Sequence, residues 1–420
     1  MPQELPTARC PVAFDHNSPE HTARGPLEVY RELRNSAPVA WSESNGGYWV
    51  VTSYAEVSEV LRDAETYTSG AATDDAGNYS GGIFVPAERG LVPMIPTEVD
   101  NPQWEDFRRL LAPRFSPTAV WDYRPMIAEL TTHYVDQVIE AGECDLAVDI
   151  AAAIPASSVL QLLGIDVAEW ATYSEPFHNA LGYPPGSPEY VEAVVGLQGI
   201  VERIRELIAR RRRDPGADLI SHVASAEIGG APIDDEAAMS VVYTLFSGGV
   251  DTTTTLLANA FAYLSRHPEA REFLVADLSR LPVATEEFMR MFTPVQALAR
   301  TVRKPATLGG QVLSPGERVL LSYASANRDE ATFPRADECV VDRMPNKHVS
   351  WGLGLHRCLG SHLARTQVEL ILSEVLTRMP DFSIDEQRSR QYPNLGIVNG
   401  WVTMPATFTP GRRLSTQGAA

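Results

Sequence analysis

The longest helical pattern in the chain runs through DDEAAMSVVYTLFSGGVDTTTTLLANAFAYLSRHP. Apolar residues recur there at three- and four-residue intervals between an acidic start and Pro268. The pattern predicts a helix from about Asp235 to His267, roughly 45–50 Å long, enough to cross a whole domain. Its middle is poor helix, with Gly248-Gly249 followed by threonines from Thr252 to Thr255. Each glycine costs about 0.5–1 kcal/mol relative to alanine, and threonines bond back to the preceding turn and bend the helix. Two glycines beside Asp251 and Thr252 predict a local opening with polar groups delivered into it.

A second helix is predicted around Glu286–Phe292. A third follows Cys358, where Leu359, Leu363, Ala364, Val368, Ile371, Leu372, Val375 and Met379 keep helical spacing until Pro380. Strand signals are few. One is Tyr48–Thr52; the other is ATLGGQVLSPGERVLLS, Ala306–Ser322, whose Gly-Gly and Ser-Pro-Gly predict a hairpin or meander. No repeat or linker interrupts the chain. The expectation is one domain over residues 1–420, mainly α, a helix-rich core with small β-sheets at one side.

Composition narrows the function. A 420-residue chain that is 44% hydrophobic and 21% charged buries a large core. A formal net charge of -19 argues against nucleic-acid binding, which needs a concentrated basic surface. The Arg210–Arg213 run before DPGAD reads as a helix end and turn. Four cysteines, Cys10, Cys144, Cys339 and Cys358, with no C-x-x-C point to a reducing cytosol. The stretch MPQELPTARCPVAFDHN has no apolar run able to span a bilayer, so a cytoplasmic location without membrane contact is expected.

The chemistry concentrates in WGLGLHRCLGSHLAR, Trp351–Arg365. Gly352, Gly354 and Gly360 permit tight turns and close approach to a ligand. Cys358 stands at the start of the third helix, where the dipole and converging N–H groups favour a thiolate. His356, Cys358 and His362 offer three ligands of a zinc site but no fourth. Nucleophilic catalysis lacks an assignable base, and no G-K-[ST] makes this a phosphate loop. A buried apolar cysteine does not explain three flanking glycines. An axial thiolate to haem iron fits what remains.

The stretch resembles the haem-binding loop of the cytochrome P-450 family, F-G-x-G-x-H-x-C-x-G, here Trp351, Gly352, Gly354, His356, Cys358 and Gly360. Trp351 replaces the usual Phe, and altered sulfur shielding and iron potential are expected from it. Gly248, Gly249, Val250, Asp251 and Thr252 resemble the family's [A/G]-G-x-[D/E]-T, which implies that Thr252 holds iron-bound dioxygen and Asp251 feeds protons inward. Breaking the O–O bond requires two protons, which an acid and a hydroxyl relay supply in a mostly dry pocket.

Glu287 and Arg290 share a helix face, and an exposed pair at this spacing is worth about 0.2–0.5 kcal/mol. The pair also resembles the family's buried E-x-x-R. Where the family often adds an arginine from P-x-R-F, this chain reads Ala336-Asp337-Glu338-Cys339, and Arg343 is the expected substitute. The resemblance further implies Trp104, Arg108, Arg300 and His356 as partners of the haem propionates.

Across the whole chain, the resemblance implies a haem-thiolate monooxygenase using haem b (iron protoporphyrin IX) and O2 as co-substrate on a small to medium hydrophobic molecule. It implies a ferredoxin- or flavodoxin-type electron donor with its NAD(P)H reductase, docked through Arg109, Arg114, Arg357 and Arg365. The expected pocket draws on Ile83 to Val92, Phe177 to Tyr183 with Leu181, Thr244, Leu245, Gly248, Val295 to Leu298, and Gly396 to Val398 with Ile397. Gln296 is placed there with two alternatives, a hydrogen bond to the substrate or an amide turned onto the backbone. A peroxide-driven peroxygenase and a non-catalytic haem sensor are the alternatives, both disfavoured by the Asp251–Thr252 pair.

Overall fold

The computed structural model describes residues 9–73, 79–87 and 92–414. Residues 1–8 of the amino-terminal stretch, and residues 88–91 of the expected pocket segment, lie outside them.

Eight helices position the site: α1 (Gln103–Leu111), α2 (Pro117–Val138), α3 (Ala153–Leu163), α4 (Trp170–Gly182), α5 (Pro188–Arg213), α6 (Asp235–Arg266), α7 (Leu281–Phe292) and α8 (Ser361–Arg378). α6 is the axle of the fold. Asp234 caps it by accepting the Ala237 N–H at 2.7 Å, and Asp235 and Glu236 place negative charge against its amino end. Its residues are buried on nearly every side, as a helix inside a large core must be. One apolar cluster lies between α6 and helices α2, α7 and α8. Another fills the space between α6 and helices α1, α3, α4 and α5.

The glycine pair does not open α6, which runs unbroken from Asp235 to Arg266. The two glycines serve different contacts instead. A Cβ on Gly249 would lie 2.8 Å from Val159 on α3, so that residue lets two helices approach closely; a Cβ on Gly248 would meet nothing within 4 Å. Thr252 Oγ1 donates back to the Gly248 carbonyl at 2.9 Å, satisfying its hydroxyl within the helix.

The β structure gathers at one side. Six strands, β1 (Pro11–Val12), β2 (Val39–Ser42), β3 (Tyr48–Val51), β4 (Tyr67–Thr68), β5 (Ala297–Val302) and β6 (Arg318–Ser322), pair in the order β1-β2-β3-β6-β5-β4. The Ala306–Ser322 run divides between two sheets. Ala306–Leu308 and Gln311–Leu313 form the expected hairpin, whereas β6 lies parallel to β3 and antiparallel to β5. The apolar alternation of that last strand is satisfied by the larger sheet's core, which no local turn signal could announce. One segment, Leu146–Leu163, is apolar and long enough to cross a membrane, and 78% of it is buried inside the fold.

Candidate active site

The cysteine loop arrives from a long stretch of turns and coil, residues 327–350, and ends at α8. Asn327 Oδ1 accepts the Val349 N–H at 2.8 Å and anchors its entry. Gly352 and Gly354 take φ of +64° and +66°, the left-handed region that glycine enters without penalty. A Cβ on Gly354 would stand 2.6 Å from the Leu61 carbonyl oxygen. Gly360 differs: its φ is -80° and nothing lies within 4 Å of its Cβ position, so it serves open space and not a turn. The Cys358 N–H donates to the Trp351 carbonyl at 2.7 Å and closes the loop.

Cys358 lines a cavity of 450 Å³ and is exposed to it. Burial pushes its thiol above the ordinary value, against the opposing pull of the Gly360 N–H and of Arg108, Arg365 and Arg357. A coordinated cation would favour the thiolate, because it deprotonates a bound thiol. Among the described residues no group of three or more His, Cys, Asp or Glu is gathered to hold a metal ion by itself, so His356, Cys358 and His362 make no zinc site.

The cavity wall collects most of the residues singled out above. Trp104, Arg108, Gly248, Thr252, Arg300, Trp351, His356, Cys358 and Gly360 line it, as do Ile83, Val92, Phe177, Leu181, Thr244, Leu245, Val295, Leu298, Ile397 and Val398. Gln296 does not. Its amide donates to the carbonyls of Phe292 (3.2 Å) and Thr293, and at 3% exposure it is consumed in bridging the end of α7 to β5. Asp251 does not line the cavity; it is fully buried in α6, held by His178 and, at 3.2 Å, by the Tyr392 hydroxyl. Phe84 and Ala180, inside the expected segments, also line the cavity, as do Met94 and Tyr243, which carried no motif to flag them.

The donor set suits a group with an iron and two carboxylates. Arg300 is 5% exposed and, among the described residues, forms no ion pair; its guanidinium donates to its neighbour's carbonyl, Ala299 O, at 2.7 Å. A buried guanidinium calls for an anion. Arg108 stacks 5.8 Å from the Trp104 ring and reaches the Arg357 carbonyl at 3.3 Å. His356 Nε2 lies 3.0 Å from Ser69 Oγ and 3.7 Å from Asp100 Oδ1, with burial lowering its basicity against the pull of Asp100. The side-chain-free positions Gly248 and Gly360 leave a cradle that a methyl group would begin to fill.

Below the cavity, Glu287 on α7 is fully buried and saturated with donors. Arg290 supplies two bonds of 2.8 Å, Arg343 Nε two of 3.1 and 3.0 Å, Val340 N–H one of 2.7 Å and Asn346 one of 3.0 Å. Arg290 also caps the carbonyls of Asn327, Ala336 and Glu338, tying α7 to the chain that leads into the cysteine loop. Arg365 is not free for a partner. It grips Glu286 at 2.6 and 2.9 Å and covers the Trp351 ring at 4.6 Å, filling the side of the cysteine loop where the tryptophan sits.

Comparison with known proteins matches this arrangement. Residues 196–405 fit the family model "Cytochrome P450". A steroid C26-monooxygenase of Mycolicibacterium smegmatis is 31% identical over 389 residues, covering 92% of this chain and 93% of that protein. Linalool 8-monooxygenase of Pseudomonas putida is 29% identical over 406 residues, covering 93% and 97%. The structure of a Mycobacterium marinum cytochrome P450 in complex with pseudoionone superposes with a TM-score of 0.87 at 28% identity, covering 96% of this chain and all of that one. With a lone cysteine aimed into an apolar cavity under a long helix, and relatives of this kind along nearly its whole length, the chain belongs to the cytochrome P450 family and is an oxidoreductase of its monooxygenase class.

Proposed function

We propose that the protein holds haem b through Cys358 and oxidises a small to medium hydrophobic substrate of terpenoid or steroid type, with O2 and two electrons from a separate ferredoxin- or flavodoxin-type donor and its NAD(P)H reductase. The observation that carries this reading is the convergence of Cys358, Thr252, Arg108, Arg300 and His356 on one cavity whose other walls are mostly apolar. The relatives support the substrate class, since one is a steroid C26-monooxygenase and another acts on linalool by name. The bound haem supplies the activation of dioxygen and the insertion of one oxygen atom into a C–H bond, the other leaving as water.

The chain's own residues do the rest. Arg300, Arg108, His356 and the Trp104 indole bind the carboxylates of the haem and fix its orientation. Ile83, Phe177, Leu181, Leu245, Val295, Leu298 and Ile397 exclude water and orient an apolar substrate. Thr244, whose hydroxyl donates to Ser240 O at 2.8 Å, adds little polarity to that wall. Thr252 holds a proton donor at the cavity face of α6, and Asp251 resupplies it. The cytoplasm supplies both the reductant and the reducing conditions that keep Cys358 out of a disulfide.

The electron donor docks on the cysteine side. Arg109 is exposed there, Arg357 is an exposed residue of the loop itself, and Trp121 is 70% exposed beside Arg124. On a chain of net charge -19, this basic face selects an acidic partner. The reading is tested by the carbon monoxide difference spectrum of wild-type and C358A protein. Spin-state titrations with linalool, pseudoionone, testosterone and a long-chain fatty acid then test the substrate class. A normal thiolate-type spectrum in C358A refutes the ligand; a response confined to the fatty acid refutes the substrate class.

A further inference from the structure

We propose that His178 and Tyr392 are positioning residues that clamp Asp251 by one carboxyl oxygen, Oδ1, so that its other oxygen, Oδ2, is the atom that carries protons toward Thr252. The inference rests on the reading above, in which Asp251 resupplies Thr252, and assigns the atoms that do it.

Asp251 is 0% exposed, and a buried carboxylate ordinarily pairs with a cation. Here no Arg or Lys among the described residues pairs with it. Both contacts that hold it end on Oδ1, one from His178 Nδ1 on α4 and one from the Tyr392 hydroxyl. Oδ2 is buried with no partner among the described residues. Burial first, and then the neighbouring carboxylate, hold the Tyr392 phenol far above its ordinary value, so it stays an O–H donor at all working pH. An oxygen that accepts from a phenol and an imidazole N–H is the less basic of the two, and an added proton goes to the unencumbered Oδ2. The imidazole must then carry its proton on Nδ1.

The phenol's reach is built into the fold. A Cβ on Gly182 would stand 2.7 Å from the Tyr392 ring, and one on Gly400 would overlap it outright, so two glycines from separate segments form its slot. Tyr392 N–H donates to Gly400 O at 3.0 Å and Asn394 N–H to Gly182 O at 2.9 Å, which locks the slot closed. Charge balances simply. A proton binding Oδ2 neutralises the carboxylate, and breaking that O–H bond toward Thr252 restores it. His178 and Tyr392 keep their own protons throughout.

The test uses the holoenzyme with its redox partners and pseudoionone as probe, measuring product and hydrogen peroxide per NADH in D251N, H178N, H178L and Y392F. Asparagine places an amide N–H where Nδ1 stood; leucine fills the space without a donor. D251N loses about 10²-fold in coupled turnover, the usual worth of a positioned acid. H178L and Y392F lose about tenfold in product per NADH, with peroxide rising to match, and H178N stays within about twofold of wild type. A second readout needs no turnover: in the carbon monoxide complex labelled with 15N-histidine, His178 shows a protonated Nδ1 whose signal shifts in D251N.

If D251N is uncoupled while H178L matches wild type, or while H178N is as impaired as H178L, the clamp is overturned and the proton role of Asp251 stands. If D251N itself stays coupled, that underlying role fails. A protonated Nε2 with bare Nδ1 also overturns the clamp. Y392F keeps the ring that fills the glycine slot, so it decides the question even if the His178 variants fold poorly.

Discussion

Replacing Arg343 with methionine tests whether the cluster under the cysteine loop is held by three partners or by two. The Arg343 side chain is 9% exposed. Its Nε bridges both oxygens of Glu287 at 3.1 and 3.0 Å, Nη1 donates to Pro334 O at 2.7 Å, and Nη2 donates to Arg335 O at 3.1 Å and Glu338 O at 3.3 Å. Methionine keeps most of the bulk and removes all of these. Glu287 then still holds Arg290, Val340 N–H and Asn346, so no net charge is stranded. The loss is a charge-assisted bond, worth about 1.5–3 kcal/mol, partly offset because two of the freed carbonyls can turn to water.

R343M should therefore cost about 1–2.5 kcal/mol, a sizeable share of the roughly 5–15 kcal/mol that holds a folded domain together. R343K, which reaches Glu287 but not all three carbonyls, should fall about midway. E287A, which leaves Arg290 buried without its anion, should cost more, about 3–5 kcal/mol. The assay is urea unfolding followed by the ferrous carbon monoxide band, alongside the rate of haem loss at fixed temperature. A change below about 0.5 kcal/mol in R343M would equate the contact with an exposed surface pair and refute the reasoning.

Three further outcomes follow from the geometry. Glu286 is raised by burial but pulled down further by Arg365 and His348, to about 2. Because its folded value lies below the unfolded value of 4.5, its contribution is complete above about pH 4.5 and is lost as pH falls toward 2, with E286Q flattening that slope in acid denaturation. A wild type whose stability is level across that interval would contradict it. T252A should keep NADH consumption while product per NADH drops about tenfold and peroxide rises; full coupling in T252A removes that hydroxyl from the proton path. G354A must accept a φ of +66° and a Cβ 2.6 Å from Leu61 O. A cost of about 2–4 kcal/mol and lower haem occupancy are expected, and an unchanged thermal midpoint would show that the loop has room to shift.

The helices were legible wherever a long apolar period met a clear stop. α6 and the helix after Cys358 end within two residues of the expected positions, because Pro268 and Pro380 forbid continuation locally. α7 begins five residues earlier than expected, at Leu281, since its first turn is stabilised by packing and not by a cap. The glycine pair was misread as a break. Weak helix formers persist in α6 because burial on all sides outweighs their propensity. For Gln296 the backbone-facing alternative holds: just ahead of β5 its amide turns back onto α7, and strand direction there is set by pairing with β6.

Local order in the chain determined what lies within one turn or one loop: the glycines and cysteine of the Trp351–Arg365 stretch, the Glu287–Arg290 pair, and the Asp251–Thr252 dipeptide. Covalent spacing alone brings those groups together, so a sequence pattern can report them. Only the tertiary structure decided that His178 and Tyr392 meet on Asp251, that Asn346 and the Val340 N–H join the expected Arg343 on Glu287, and that Arg365 spends its charge on Glu286. These contacts join residues tens to well over a hundred positions apart. They exist because burying the apolar faces of α4, α6, α7 and α8 forces polar groups on those helices to find partners inside the core.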